Sequence, residues 1–232
     1  MKFDESKKKT FGKIFIFSVS IFLLSYLHTD AATSIYRSLS PTVTSAVATT
    51  TASGFTLSIS ASTATFSGAQ PNNVGIGDAI QYDSDNNGSI DAIAFIHSRT
   101  SSTVYTVKSA SGGTPTATSA DDTDWSVFRA YISMSNAETG TENTGINSGV
   151  RNFDTWSSGR NLVSSDEQWN IAAYGGSAET TLVTIAGWTT DSTHYLRIFT
   201  PVSTAEVGAS QRHSGAWDDT KYNFTPAAFT TN

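Results

Sequence analysis

The sequence predicts a mainly β protein, in which a small antiparallel hairpin module precedes a second β region, with one or two short helices between them. Three observations carry this. First, Asn161 to Thr200 holds three short apolar runs, Trp169–Tyr174, Leu182–Ala186 and Tyr195–Phe199, closed by Gly175-Gly176, Gly187 and Pro201. The runs begin about a dozen residues apart, which is strand-and-turn spacing and too tight for intervening helices. Second, Phe55, Leu57 and Ile59 alternate with polar residues, and similar short runs follow up to Val107. Third, the chain has no cysteine but carries 13 Phe, 8 Tyr and 5 Trp, so apolar burial must hold the fold.

The first 31 residues read as a signal peptide. Lys7, Lys8, Lys9 and Lys13 precede the uncharged run Ile14–Leu27. That run is shorter than the ~20 residues a spanning helix needs. Thr29-Asp30-Ala31 places small residues before a cleavage after Ala31, with Ala32 the second choice; an uncleaved anchor is the alternative. Processing leaves 201 residues with nine Lys and Arg against 17 Asp and Glu, a formal charge of −8. Such a surface repels phosphate backbones, which excludes nucleic acid as a partner. The expected location is secreted or at the cell surface, with membrane contact only through the signal segment before cleavage. Without cysteine there is no lipid anchor and no disulfide framework.

Residues 32–53 are rich in Ser, Thr and Ala and read as a linker or weak edge strand, disordered near its start. Residues 54–118 read as the hairpin module. Its strands are Phe55–Ile59, Thr63–Phe66 after the Ser60-Ala61-Ser62 turn, Gly75–Tyr82, Ile90–His97 and Ser102–Val107. Gly112-Gly113-Thr114-Pro115 ends it, and the polar stretch Ser119–Asp124 marks a boundary. Residues 124–232 form the second region. Trp125–Ser133 is apolar; Ser135-Asn136-Ala137-Glu138 fits a capping box that starts a short helix. Gly140, Gly145 and Gly149 keep it short. Val150, Phe153 and Trp156 stand at helical spacing for a second. In the third apolar run, Leu196 and Ile198 face one side and Tyr195, Arg197 and Phe199 the other. The tail after Val202 has few regular signals, and no period of 20–50 residues repeats.

The order NLVSSDEQWNIAAYG, VTIAGWTTDSTHYLRIFTP, QRHSGAWDDTKY resembles the first coils of secreted bacterial right-handed parallel β-helix proteins, the pectate-lyase-like and tailspike-like chains of cell surfaces. TDWSVFRAYISMSNAE is similar to the start of their N-terminal cap, and VGIGDAIQYDSDNNGSIDAIAFIHSRTSSTVYTV to a small β module before it. The likeness covers roughly Gly75–Tyr222 and lies in structural turns. It implies the cap and first coil of a parallel β-helix, and an exported, non-catalytic surface protein with a structural or adhesive role, in contact with surface polysaccharide. No catalytic residue of the family matches a position here. Such proteins continue for many coils, whereas this sequence reaches Asn232 about one coil in. Two further readings follow: a truncated fragment of a β-helix polysaccharide lyase or hydrolase, and a subunit of an extracellular fibre whose open edge a neighbouring β subunit completes.

The strongest chemical motif is Asp83-Ser84-Asp85-Asn86-Asn87-Gly88-Ser89-Ile90-Asp91. Asp83, Asp85, Asn87, the Ser89 carbonyl and Asp91 occupy positions 1, 3, 5, 7 and 9 of an EF-hand-type Ca²⁺ loop, and Gly88 supplies its sharp bend. Position 12, where a bidentate Glu belongs, is Ala94, so the expected Kd is weak, ~10⁻⁴–10⁻³ M. The alternative is a tight hairpin with a type I′ turn at Asn87-Gly88. His97, His194 and His213 have no metal spacing and read as structural. Asp166, Glu167, Asp191, Asp218 and Asp219 contain the material for a glycosidase carboxylate pair, though solvated turns explain them as well. Trp169, Trp188 and Trp217, with Tyr195 and Phe199, suit either sugar stacking or core packing. No phosphate-cradling loop, nucleophile elbow or HExxH is present.

Overall fold

A computed structural model describes residues 31–154, 156 and 159–226. The expected signal segment up to residue 30 lies outside them. From Thr33 onward the described residues form one compact unit. Its elements are β1 (Thr33–Leu39), β2 (Ala48–Thr49), α1 (Thr50–Ser53), β3 (Leu57–Ser60), β4 (Thr63–Phe66), β5 (Ala79–Tyr82), β6 (Ala92–Arg99), β7 (Val104–Lys108), β8 (Ser126–Phe128), α2 (Met134–Thr139), α3 (Leu162–Ser165), β9 (Glu167–Ala173) and β10 (Leu196–Phe199). The described residues are thus mainly β with three short helices.

Seven strands form an antiparallel sheet in the order β2-β8-β5-β6-β7-β4-β3. β5, β6 and β7 are a meander, and the β3–β4 hairpin joins it through β4 on β7. The alternation read from the sequence sets the faces. Leu57, Ile59, Ala64 and Phe66 are buried with Ile80, Tyr82, Ala94, Ile96, Tyr105, Val107, Trp125 and Val127 in one apolar cluster. The sheet reaches beyond residues 54–118 on both sides. β2 and β8 complete it because Val127 is fully buried in that cluster and β8 pairs with β5. Ser119–Asp124 is therefore a loop within the unit, and Asp122 pairs with Leu57 across it.

The second sheet is parallel, in the order β1-β9-β10. β1 lies beside β9 in register from Thr33↔Glu167 to Leu39↔Ala173. β10 lies on the other side, from Leu196↔Trp169 to Phe199↔Ala172. Residues 33–39 are thus a fully paired strand rather than a linker, because Ile35, Arg37 and Leu39 are buried. β9 is covered on both faces. Trp169, Ile171 and Ala173 join Ile35, Leu39, Phe95 and Tyr131 in the cluster between the sheets. Ala172 and Tyr174 pack with Ile76 and Val207 on the other side, where Phe199 also lies. Two of the three apolar runs are thus strands. The third, Leu182–Ala186, is not: it has no strand partner, and Leu182 and Ile185 are half exposed.

The sheets meet where β1 runs past Gly77. Gly77 has φ 87°, and a Cβ there would lie 2.5 Å from the Arg37 carbonyl carbon, so only glycine lets the backbones touch. Ser38 N–H donates to the Gly77 carbonyl at 2.8 Å, and Tyr131 N–H donates to the Ser38 carbonyl at 3.0 Å. The segment after β8 thereby covers the outer side of β1. Two buried ion pairs lie at this junction. Arg37 grips Asp154 through Nε and Nη2, both at 2.8 Å, with its guanidinium 3.7 Å from the Phe95 ring centre. Arg129 pairs with Asp78 and lies 3.6 Å over the Tyr174 ring.

The helices differ in detail from expectation. α2 is capped by Ser133, whose Oγ accepts the Asn136 N–H at 3.0 Å, rather than by a Ser135–Glu138 box. Ser133 is extended and Ser135 is already helical, so only the former can cap. Gly140 ends α2 in the left-handed region, as expected. No helix forms over Val150–Trp156 among the described residues, because Asn152 has φ 75° and breaks the turn. Val150 and Phe153 still reach the core.

Candidate functional site

The nine residues 83–91 connect β5 to β6, whose pairing stops at Tyr82↔Ala92. They form an open loop, not a two-residue turn. Asn86 (φ 61°) and Gly88 (φ 88°) are left-handed while Asn87 between them is not, so the type I′ geometry, which needs consecutive positive φ angles, is absent. The alternation curls the chain around Asp83. Gly88 N–H donates to Asp83 Oδ2 at 2.6 Å. At the loop's end, Asp91 accepts Ser84 N–H at 2.8 Å and Ser84 Oγ–H at 3.0 Å.

One carboxylate oxygen from each of Asp83, Asp85 and Asp91 lies within 4.8 Å of the others. Asn87 is in the same loop, but its Oδ1 accepts Ser89 N–H at 3.0 Å and so supports the turn. Asp83 is 1% exposed, whereas Asp85 and Asp91 face solvent. Burial acts to raise the Asp83 pKa, but the N–H groups of Gly88, Asn87 and Asn86 outweigh it and hold the carboxyl below its usual range. Behind the loop lies a second buried acid, Asp122, which the sequence did not single out. Its Oδ2 accepts Asp83 N–H at 3.4 Å and its Oδ1 accepts Asp124 N–H at 2.7 Å. Burial raises its pKa, and the Asp83 charge adds to the rise. A polar cleft lined by Gly88, Ser89, Asp124, Trp125 and Asn147 opens beside the loop.

The other candidate acids are each engaged by neighbouring groups. Asp166 and Asp191 come together, but on opposite nitrogens of one imidazole: His194 Nε2 lies 2.9 Å from Asp166 and Nδ1 2.8 Å from Asp191. The bond to Asp166, then that to Asp191, raises the His194 pKa. The group ties the turn after α3 to the turn before β10. Glu167 is committed to Arg160 and to the Trp169 indole. Asp218 and Asp219 bind within their own turn, to Thr220 and Trp217. Trp169 and Trp188 pack with Trp156 in and against the core. Phe199 packs below β9, while Trp217, 64% exposed, stacks on His213. His97 stands edge-on to Tyr36, and burial, with Arg37 and Lys108 nearby, lowers its pKa to about 4. Among the described residues no helix is long and apolar enough to cross a membrane.

No protein-family model matches this chain, and no curated protein or solved structure matches it significantly.

Proposed function

We propose that the protein is an exported, non-catalytic surface component with a structural or adhesive role. In this reading β1, β9 and β10 begin a parallel β-helix, and the antiparallel sheet closes its first end. The observation that carries it is the spacing of the parallel pairs. Leu196 lies beside Trp169, 27 residues back, and Thr189 bridges Asn161 in parallel, 28 residues back. Two parallel contacts with nearly equal offsets, on different parts of the chain, are what a coil stacked on its predecessor produces. The cover over β1 fits a cap. The candidate carboxylates are each engaged by structural partners, His194, Arg160, Thr220 and Trp217, which favours a binding or scaffolding role over hydrolysis.

A specific observation favours the fibre-subunit reading as the second choice. Among the described residues β10 has a strand on one side only, and the partly exposed Ile185 and Ile198 line a recess with Leu196 there. The test is expression of the full chain in a secreting bacterial host. Secreted material should begin at Ala32 or Thr33, should co-sediment with insoluble cell-surface polysaccharide, and should release no unsaturated or reducing sugars from it. Protein retained with Met1 intact refutes export. Depolymerisation that follows the purified chain refutes the non-catalytic reading.

A further inference from the structure

We propose that the loop between β5 and β6 is a calcium site, with Asp83, Asp85 and Asp91 as its carboxylate ligands. Three acids close together do not make a site, since exposed carboxylates tolerate one another in water. The deciding observation is Asp83 Oδ1. This oxygen is buried in a residue 1% exposed, and it has no hydrogen-bond partner. Its sister oxygen is occupied by Gly88 N–H. An ionised carboxylate with one oxygen sealed from water and unpaired carries a desolvation cost that a cation removes.

The surroundings supply no other cation. Five acids gather here: Asp83, Asp85, Asp91, Asp122 and Asp124. None of them takes part in an ion pair among the described residues. Asp122 Oδ2 accepts Asp83 N–H at 3.4 Å, so a second buried acid stands directly behind the loop.

The donors select the metal. All three are hard carboxylate oxygens; the chain has no cysteine, and no histidine joins the cluster. That excludes the nitrogen and sulfur sets zinc prefers. Asp85 and Asp91 open to solvent, so water completes an irregular shell, which calcium accepts and magnesium, with its tight octahedron, does not. Ala94 lies in β6 at the position where a bidentate Glu would close the shell. The expected Kd is therefore ~10⁻⁴–10⁻³ M.

The experiment is calorimetric titration of the mature chain with CaCl₂, together with thermal melts at constant ionic strength. Wild type should bind one Ca²⁺ saturably and melt about 3–11 °C higher in 10 mM CaCl₂. MgCl₂ should give no shift. Asp85→Asn changes an exposed side chain, so it should keep the calcium-free melting temperature and lose most of the calcium-dependent rise. Asp83→Asn should abolish binding. No saturable heat up to 10 mM calcium, an equal shift with magnesium, or an unchanged calcium response in Asp85→Asn would each overturn the proposal.

Discussion

Asp154→Ala should be among the most damaging single changes in the protein. The Arg37 side chain is 0% exposed and that of Asp154 2%. Asp154 receives Arg37 Nε and Nη2 at 2.8 Å each, and it also accepts the Tyr131 hydroxyl. Without it, the guanidinium keeps only the Tyr36 and Ala110 carbonyls, both at 3.0 Å. Its ring contact with Phe95 remains but cannot neutralise it. Leaving a buried charge unpaired costs about 3–5 kcal/mol. The stranded Tyr131 hydroxyl adds to that, though not additively, since both share one acceptor. For a domain of this size about 4 kcal/mol lowers the melting temperature by ~8–16 °C. The loss is a large part of a normal stability of ~5–15 kcal/mol. Replacing the whole group, as Arg37→Met with Asp154→Leu and Tyr131→Phe, removes charge and desolvation cost together and should recover most of the loss. Urea titrations followed by tryptophan fluorescence would measure both. A cost below ~1 kcal/mol for Asp154→Ala would show that water reaches Arg37 and that the junction is not sealed.

Leu196→Asp should destabilise the parallel sheet by about 2–3 kcal/mol, because Leu196 packs against the inter-sheet cluster. Arg197→Ser should cost under ~1 kcal/mol, the worth of an exposed guanidinium 4.1 Å over Phe199; equal urea midpoints for the two variants would contradict the assigned faces. His97 titrates near 4 in the folded protein against about 6.5 unfolded. The unfolded chain therefore takes up the proton first, and stability falls as pH drops from about 6.5 to 4, by at most about 3 kcal/mol. His97→Gln should flatten that part of the stability–pH curve, and an unchanged slope would assign the loss to other groups.

The hairpin strands were legible because period-2 alternation places Leu57 and Ile59, then Ala64 and Phe66, on one buried face. β9 and β10 were legible as short apolar runs closed by Gly175-Gly176 and Pro201, although β9 is buried on both faces and β10 is half exposed. Leu182–Ala186 misled because a short apolar run reads as a strand whether or not a partner waits beside it. β1 was legible only as one of two alternatives, linker or weak edge strand: Ser34, Tyr36, Arg37 and Ser38 do not alternate with apolar residues strongly enough to decide, and the burial of Arg37 depends on Asp154, 117 residues away. No local signal reports such a pair. The acidic loop was legible in its residues and spacing, but its decisive atom was not. The burial of Asp83 comes from the packing of the 119–126 segment behind it, and that proximity of Asp122 is a product of the fold. The Asp166–His194 contact was likewise invisible, since the two residues lie on separate turns 28 residues apart.

The central place of β9 also governs how the chain can fold. Thr33 pairs with Glu167, so the first strand emerges long before its partner exists. At ~5–20 residues per second of synthesis that gap lasts roughly 7–27 s. During it, β1 lacks its strand partner, although Gly77 and Tyr131 reach it earlier, while the β3–β4 hairpin can close at once. The parallel sheet then assembles late, through contacts of high sequence separation, and slowly for a domain of this length. A chain built this way stays unlocked until β9 arrives.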